Sequence, residues 1–335
     1  MEHVTLGKTG LQVSRLGFGG IPIQRVDQAA AAALLEVVRG GGINYIDTAR
    51  GYTVSEELIG QAIAGHRQSF VLATKSMARD RAAMAADIET SLGNLRTDYI
   101  DLYQVHNPTP EQLEQVCGAG GALEALQEAK AAGKIGHLGV TAHSQEVFRR
   151  ALELDWVETI MFPYNIVENQ GEELMRQAQE KNIGFICMKP LAGGAIEDAS
   201  LALRYVLANP CVSVVIPGMY SPEEAAGNIA AAGNRTPLSG EEQQRLEQIR
   251  QELGTSFCRR CNYCAPCTAG ISIPNVFLFH GYLSRYGLEA WARDRYGALA
   301  AKAGACVECG ACEERCPYQL PIRSMLKQAA KDFGA

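Results

Sequence analysis

The sequence predicts an α/β protein: a (β/α)8 TIM barrel followed by an all-α domain that holds cysteine-ligated metal clusters. From the N-terminus to about residue 235, short apolar runs alternate with segments of helical spacing and with Gly or Pro breaks. Eight of the eleven cysteines fall within residues 258–316. A barrel of this kind takes about 250 residues. We therefore expect the 335 residues to divide into a barrel over 1–240 and a helical cluster domain over 241–335.

Eight apolar runs are the strand candidates of the barrel. Because helical segments separate them, the strands must be parallel, and eight parallel strands can close into a ring without an exposed edge. An open doubly wound sheet is the alternative. Gly17-Phe18-Gly19-Gly20, at the first run, lacks the third glycine of the dinucleotide fingerprint of such sheets. The runs are 16–19, 45–47, 70–74, 99–105, 135–141, 159–162, 183–188 and 212–216.

Local signals place two further elements near the N-terminus. Residues 4–13, with the turn Gly7-Lys8-Thr9-Gly10, predict a β-hairpin that precedes the barrel and plugs its bottom. Asp27 is the expected N-cap of the first helix, and the glycines at 40–42 end that helix.

The composition excludes several classes of protein. Apolar residues make up 47% of the chain and charged residues 20%, which argues against extensive disorder. The net charge of −6 offers no basic footprint for nucleic acid. No apolar run approaches the roughly 18 residues of a membrane span, and Met1-Glu2-His3-Val4 lacks the basic start of a targeting segment. We expect a cytoplasmic protein with neither a nucleic-acid nor a membrane partner.

Ionisable residues stand at the ends of three successive strand candidates. Asp47 ends the second, Lys75 follows the third, His106 follows the fourth, and Tyr52 lies in the loop after Asp47. In such barrels the loops after the strands converge on one mouth. A Lys ammonium beside a phenol lowers the phenol pKa from its usual value near 10, and Asp47 would hold that ammonium in place. His106 would orient a substrate oxygen, so the set suits proton donation to a carbonyl.

At these residues the chain resembles the aldo-keto reductase superfamily. The motifs are Asp47-Thr48-Ala49-Arg50-Gly51-Tyr52, Ala73-Thr74-Lys75 and Asp101-Leu102-Tyr103-Gln104-Val105-His106, and the resemblance extends over residues 1–235. It implies an NAD(P)-dependent enzyme that reduces a small-molecule carbonyl or oxidises an alcohol. It also implies that Tyr52 is the general acid, with the other three residues in the roles given above.

The loops after the seventh and eighth strand candidates suit a pyrophosphate. Both Lys189-Pro190-Leu191-Ala192-Gly193-Gly194 and Ile216-Pro217-Gly218-Met219-Tyr220-Ser221 carry glycines that let backbone N–H groups approach a phosphate. The resemblance implies that Asn228 reaches the adenine of the nucleotide. The full set of nucleotide contacts that it implies is Thr141, His143, Tyr164, Asn165, Lys189, Pro190, Leu191, Gly193, Gly194, Pro217, Gly218, Met219, Glu224 and Asn228.

Several nucleotide positions depart from the superfamily pattern. Glu224 stands where many members carry an Arg for the adenosine 2′-phosphate, so the resemblance implies a preference for NADH over NADPH. The alternative is that Glu224 caps its own helix through the capping box Ser221-Pro222-Glu223-Glu224. Met161 and Met188 replace a Gln and an aromatic ring, and His143 replaces part of a Ser-Asn pair. We therefore expect weak nicotinamide binding or a different redox partner.

The eight clustered cysteines form two runs, and each run begins with three cysteines at two-residue intervals, the spacing that wraps iron-sulfur cubanes. In two-cluster ferredoxins the last cysteine of each run crosses to the other cluster. That rule assigns one 4Fe-4S cluster to Cys258, Cys261, Cys264 and Cys316, and a second to Cys306, Cys309, Cys312 and Cys267. The first run departs from the pattern, with two residues before its last cysteine and Thr268 in place of Pro. Structural zinc is the alternative.

The 38 residues between the runs are too many for a compact ferredoxin and resemble the helical type of succinate dehydrogenase iron-sulfur subunits. A subset of aldo-keto reductases resembles the whole chain. The leading hypothesis is an oxidoreductase whose clusters relay single electrons to or from a ferredoxin-like partner. One alternative is a carbonyl reductase with purely structural or oxygen-sensing clusters. Another is a nucleotide-binding protein that regulates by redox state.

Overall fold

The computed structural model describes residues 1–254 and 256–334, which form two compact units. The first unit comprises residues 1–165, 169–190 and 198–238. The second comprises the described residues from Ser239 onward together with two short segments, 166–168 and 191–197. In the chain these segments follow two of the barrel strands, but they pack with the C-terminal residues.

An N-terminal hairpin enters the first unit. Strands β1 (His3–Thr5) and β2 (Gln12–Ser14) are antiparallel, with Val4 opposite Val13. Leu6 and Val13 are fully buried in one apolar cluster with the strand residues that point into the barrel. The N–H of Lys8 donates to the Asn182 carbonyl at 2.6 Å, just before a barrel strand begins. The hairpin therefore plugs the N-terminal end of the barrel, as predicted.

Eight parallel strands follow the hairpin and form one sheet in chain order. Isolated parallel bridges from Leu16 to Val215 and from Gly19 to Gly218 join the first of these strands to the last, so the ring closes. This closure confirms the barrel and excludes the open sheet. The strands are β3 (Phe18–Gly19), β4 (Tyr45–Asp47), β5 (Val71–Ser76), β6 (Ile100–His106), β7 (Ile135–Thr141), β8 (Thr159–Pro163), β9 (Gly184–Met188) and β10 (Val214–Ile216).

Nine helices of the first unit cover the strands. Asp27 caps the first of them by accepting from the N–H of Ala30, and Asp80 caps the third by accepting from Ala83. Their apolar faces pack on the outside of the sheet and form the largest core of the chain. The helices are α1 (Gln28–Gly40), α2 (Ser55–Ile63), α3 (Arg81–Asn94), α4 (Pro110–Cys117), α5 (Ala122–Ala131), α6 (Gln145–Ala151), α7 (Glu172–Glu180), α8 (Ala199–Leu207) and α9 (Pro222–Gly233).

The second unit is helical and has its own core. The rings of Tyr296 and Phe333 stack at 3.8 Å between centroids, and Val276 and Leu326 are buried beside them. Within residues 1–254 and 256–334, no helix is both long and apolar enough to cross a membrane. The helices of this unit are α10 (Gly240–Gly254), α11 (Ile273–Ser284), α12 (Glu289–Gly297), α13 (Ala311–Glu314) and α14 (Ile322–Phe333).

Truncating a buried side chain of the N-terminal hairpin should destabilise the barrel. Leu6→Ala removes a fully buried side chain from a closed interior, where collapse around the gap is restricted. We expect the free energy of unfolding to fall by about 2–5 kcal/mol, measured by anaerobic urea unfolding. His3→Ala, an exposed change in the same hairpin, is the control. A loss for Leu6→Ala no larger than that of the control would contradict the plugging role.

Candidate functional site

A buried ion pair lies at the C-terminal ends of two adjacent strands. Asp47 ends β4 and Lys75 lies near the end of β5, and the Lys75 Nζ donates to Asp47 Oδ1. The same amine donates to the Thr48 carbonyl at 2.7 Å, and Gln104 Nε2 donates to the second carboxylate oxygen at 3.2 Å. Burial lowers the pKa of Lys75 and raises that of Asp47, and the contact between them opposes both shifts.

Tyr52 and His106 meet this pair at the barrel mouth. The Lys75 Nζ lies 4.9 Å from the centroid of the Tyr52 ring. The Tyr52 and His106 rings lie 5.9 Å apart between centroids and are nearly perpendicular, at 84°. The structure therefore brings together all four residues that the sequence predicts at the ends of neighbouring strands.

A carboxylate that the sequence analysis missed supports the loop carrying Tyr52. Glu56, in the first turn of α2, is buried and accepts from Thr74 Oγ1 at 2.7 Å and Ser91 Oγ at 2.8 Å. It also pairs with Arg50 at 2.8 Å. The backbone N–H of Arg50 donates to the Lys75 carbonyl at 3.0 Å. Glu56 thus connects α2, α3 and β5 to the segment between Asp47 and Tyr52.

The sequence pattern around Glu56 is only a weak indication of this role. An acidic residue in the first turn of a helix is the usual companion of the helix dipole and needs no further explanation. The polar run Ser55-Glu56-Glu57, which begins three residues after Tyr52, is the available clue. The partners Thr74 and Ser91 lie 18 and 35 residues away, so pattern alone could not reveal them.

The predicted pyrophosphate loop after β9 has an unusual backbone. Lys189, Ala192, Gly193 and Gly194 have φ values of +56°, +49°, +66° and +82°. Two glycines in a left-handed run of this kind let successive N–H groups point to one side. The Asn165 side chain, which is buried, donates to the Lys189 carbonyl at 2.9 Å and fixes where this loop begins.

In the second unit, two residues that follow helix α11 contact the remainder of the same loop. Arg285 Nε, just beyond the end of α11, donates to the Gly193 carbonyl at 3.0 Å. A Cβ added to Gly193 would come within 3.2 Å of the Tyr286 hydroxyl. Leu191 and Gly194 belong to this unit with Gly193, whereas Pro190 belongs to the first. The predicted nucleotide loop is therefore shared in sequence by the two units.

Thr141 and His143 lie together at the end of β7. The Thr141 hydroxyl accepts from the Asn107 N–H at 2.9 Å, and His143 Nδ1 lies 3.0 Å from Asn107 Oδ1. Asn107 directly follows His106. These two predicted nucleotide contacts therefore lie beside the four mouth residues.

Tyr164 has a different environment from the other predicted nucleotide contacts. Its ring is buried and stacks on Tyr205 of α8 at 5.7 Å between centroids. Its hydroxyl donates to Glu172 at 2.8 Å and accepts from Asn209 at 3.1 Å. These contacts belong to the packing of the strand against α7 and α8. We therefore omit Tyr164 from the proposed nucleotide site.

The loop after β10 leads into α9. The Pro217 carbonyl accepts from the Gly19 N–H at 2.9 Å, and the Met219 side chain is fully buried. Gly218 and Asn228 lie on the same loop and helix, and Asn228 is buried. Ser221 caps the helix by accepting from the N–H of Glu224, as predicted.

The Glu224 carboxylate is engaged with the backbone of its own loop. It accepts from the N–H of Tyr220 at 2.9 Å, one residue before the helix cap. The donor is one residue away from the one in the predicted capping box, in which Glu224 would accept from the N–H of Ser221. The carboxylate therefore contacts the backbone of the loop that leads into α9.

The eight clustered cysteines line two separate cavities of the second unit. One is lined by Cys258, Cys261, Cys264 and Cys316. The other is lined by Cys267, Cys306, Cys309 and Cys312. Ile273 lines both cavities. Within the described parts of the chain, no three His, Cys, Asp or Glu side chains converge closely enough to hold a single ion.

Arg259 lines the first cavity. Its positive charge indicates whether the cavity suits an anionic cluster. The side chain is only 7% exposed and donates to the carbonyls of Val167 and Gly254, both at 2.9 Å. No carboxylate of the described residues pairs with it, whereas its neighbour Arg260 pairs with buried Glu168 at 2.7 Å. A buried cation without a counter-ion fits a site for a group ligated by four thiolates, because such a group is anionic.

Two family models match the chain at these two units. Residues 15–200 match the aldo/keto reductase family, and residues 257–321 match a 4Fe-4S dicluster domain. The second match supports iron-sulfur clusters over the zinc alternative.

Relatives and solved structures agree with the first match. The chain is 33% identical over 224 residues to the aldo-keto reductase YhdN of Bacillus subtilis, covering 59% of this chain and 66% of that protein. It is 28% identical over 307 residues to L-galactose dehydrogenase of Arabidopsis thaliana, covering 76% and 94%. The holo structure of aldo-keto reductase AKR11C1 from Bacillus halodurans superposes with a TM-score of 0.65 at 28% identity, covering 74% and 96%.

The family match spans more than half of the chain and coincides with a closed barrel whose mouth gathers Asp47, Tyr52, Lys75 and His106. The chain therefore belongs to the aldo/keto reductase family and carries a 4Fe-4S dicluster domain at residues 257–321.

Proposed function

We propose that the barrel reduces the carbonyl group of a small molecule with NAD(P)H, or oxidises the corresponding alcohol, and that Tyr52 is the general acid. The observation that carries this proposal is the contact of the Tyr52 ring with both the Lys75 amine and the His106 ring at the mouth. A phenol beside a buried ammonium can release its proton, because the ammonium stabilises the phenolate.

The residues of the mouth divide the work of the reaction. As the carbonyl carbon accepts hydride, the electron pair of the C=O bond moves to oxygen, which takes the proton of Tyr52. Lys75 stabilises the phenolate that remains, and Asp47 holds the Lys75 amine in position. His106 donates a hydrogen bond to the substrate oxygen and orients it. The nicotinamide, when bound, supplies or accepts the hydride.

The loops after β7 and β10, both in the first unit, suit the nucleotide. The backbone of Gly218 and the N-terminus of α9, on the loop after β10, would bind the pyrophosphate. Thr141 and His143 would lie beside the nicotinamide, and Asn228 would reach the adenine. Met161 and Met188 lie in the apolar interior of the barrel and offer no hydrogen bond to the nicotinamide amide, which is the basis for expecting weak binding.

The second unit would hold two 4Fe-4S clusters, one in each cysteine-lined cavity. The crossed ligand sets inferred from the spacing coincide with the two cavity linings. When bound, the clusters supply single-electron transfer, which we propose serves a ferredoxin-like partner protein. Arg259 would balance the charge of the cluster held by Cys258, Cys261, Cys264 and Cys316. A structural or oxygen-sensing role for the clusters is the competing proposal.

Removing the Tyr52 hydroxyl tests the acid assignment. Tyr52→Phe keeps the ring against Lys75 and His106 but cannot donate a proton, so kcat for a carbonyl substrate should fall about 100- to 10,000-fold. Steady-state kinetics with NADH or NADPH measure the change. Tyr99 lies just before β6 begins, at the end of the strand away from His106. Tyr99→Phe is therefore the matched control and should keep wild-type kcat. Equal rates for Tyr52→Phe and wild type would refute the assignment.

The charge of Glu224 should set a preference for NADH over NADPH. Glu224→Gln keeps an acceptor for the Tyr220 N–H but removes the charge, so kcat/KM for NADPH should rise about fivefold relative to NADH, as roughly 1 kcal/mol would give. Glu223→Gln, exposed in the same turn, is the control and should leave the ratio unchanged. A wild-type preference for NADPH of tenfold or more would end the NADH proposal.

Electron relay predicts that the clusters exchange electrons with a ferredoxin. Anaerobically purified protein should contain about eight irons per chain, and chemically reduced ferredoxin should generate the EPR signal of reduced 4Fe-4S clusters. Cys316→Ser should lose about half of the iron, whereas Cys187→Ser, a buried cysteine of the barrel, should keep all of it. Clusters that stay unreduced by both ferredoxin and dithionite would establish the structural alternative.

A further inference from the structure

Arg79 lies in the loop between β5 and α3 at the barrel mouth, and no carboxylate of the described residues pairs with it. Its Nη2 donates to the His106 carbonyl at 2.8 Å, so it contacts the backbone of one of the four mouth residues. Its Nη1 donates to the Ala78 carbonyl at 3.2 Å and its Nε to Gln112 Oε1 at 3.3 Å. All three acceptors are neutral oxygens.

Other arginines of the same unit have the carboxylate partner that Arg79 lacks among the described residues. Arg67 pairs with Asp101 at 2.7 Å, and Arg81, two residues further along the chain, pairs with Glu128 at 2.9 Å. No described Asp or Glu lies within 4 Å of the Arg79 guanidinium. The adjacent carboxylate, Asp80, accepts from the N–H of Ala83 as the cap of α3.

The Arg79 guanidinium is therefore a partly buried cation with unused hydrogen-bonding capacity. A guanidinium has five N–H donors, and three of them have acceptors in the described residues. Burial without a compensating carboxylate lowers the pKa of Arg79 to about 10, which still leaves it charged at neutral pH. Since the side chain is held in the loop by its three contacts, its position does not depend on a ligand.

We infer that Arg79 binds an oxyanion, a carboxylate or a phosphate, carried by the carbonyl substrate. This inference rests on the proposed reductase function, because the anion would belong to the molecule whose carbonyl lies between Tyr52 and His106. The contact of Arg79 with the His106 backbone brings the cation to the edge of that position. A guanidinium binds planar carboxylates and phosphates through paired donors, which gives direction as well as affinity. Arg79 thus selects acidic aldehydes or ketones over neutral ones.

Matched substrate pairs test this specificity. The pairs are 4-carboxybenzaldehyde against its methyl ester, and glyceraldehyde 3-phosphate against glyceraldehyde. In wild type, kcat/KM should be higher for the charged member of at least one pair, and the pair that responds identifies the oxyanion. Arg79→Met should lower that charged-to-neutral ratio about 10- to 100-fold, as expected for the loss of a charge-assisted hydrogen bond.

Two further variants control for charge and for fold. Arg79→Lys keeps the cation and should retain more of the ratio than Arg79→Met. Arg81→Met removes an exposed charge nearby and should leave the ratio within about twofold of wild type. Equal kcat/KM for charged and neutral members in wild type, or an equal loss for both in Arg79→Met, would overturn the inference.

A binding measurement separates this inference from the reductase proposal. If no carbonyl compound is turned over, the proposed function fails, and calorimetric titration with terephthalate and with inorganic phosphate still tests Arg79. Binding of either anion to wild type that is lost in Arg79→Met supports the site. Absence of binding to wild type, or equal binding to Arg79→Met, refutes it.

Discussion

The buried pair of Asp47 and Lys75 is the constraint on which the mouth of the barrel depends. Two charges inside a low-dielectric wall are tolerated only when each polar atom has a partner. Gln104 takes the second oxygen of Asp47, and the Thr48 carbonyl accepts a further N–H of Lys75. Because these contacts fix β4, β5 and β6 against one another, the loop after Asp47 leaves the barrel in one direction and carries Tyr52 to the amine.

A second layer holds the same loop from the outside. The buried carboxylate of Glu56, in the first turn of α2, binds Thr74 of β5, Ser91 of α3 and Arg50 of the loop. Removing it would leave Arg50 with only the more distant carboxylate of Asp87, at 3.6 Å. The helices therefore contribute to the site through one carboxylate, although none of the four mouth residues lies on a helix.

Much of this arrangement could be predicted because its physical causes are local. Alternation of apolar runs and helical segments predicted all eight strands, and the rule that barrel loops converge after the strands brought Asp47 and His106 together. Positions that depend on distant partners could not be predicted. Tyr164 directly follows a strand, so its position resembles that of Asp47, which ends one. Its ring nevertheless packs against α8. Residues 166–168 and 191–197 belong to the second unit, and nothing in their composition indicates this.

The same electrostatic rule applies to one arginine in each of the two units. The chain has 37 acidic and 31 basic residues, so carboxylate partners for arginine are abundant. Arg260 and Arg67 each have one, whereas Arg259 and Arg79 donate to neutral oxygens only. A partly or fully buried guanidinium without a counter-ion is costly unless an anion completes it. At Arg259 the cysteine-lined cavity provides a place for that anion, and at Arg79 the place is the mouth beside His106. The same physical argument therefore predicts a bound anion at both sites.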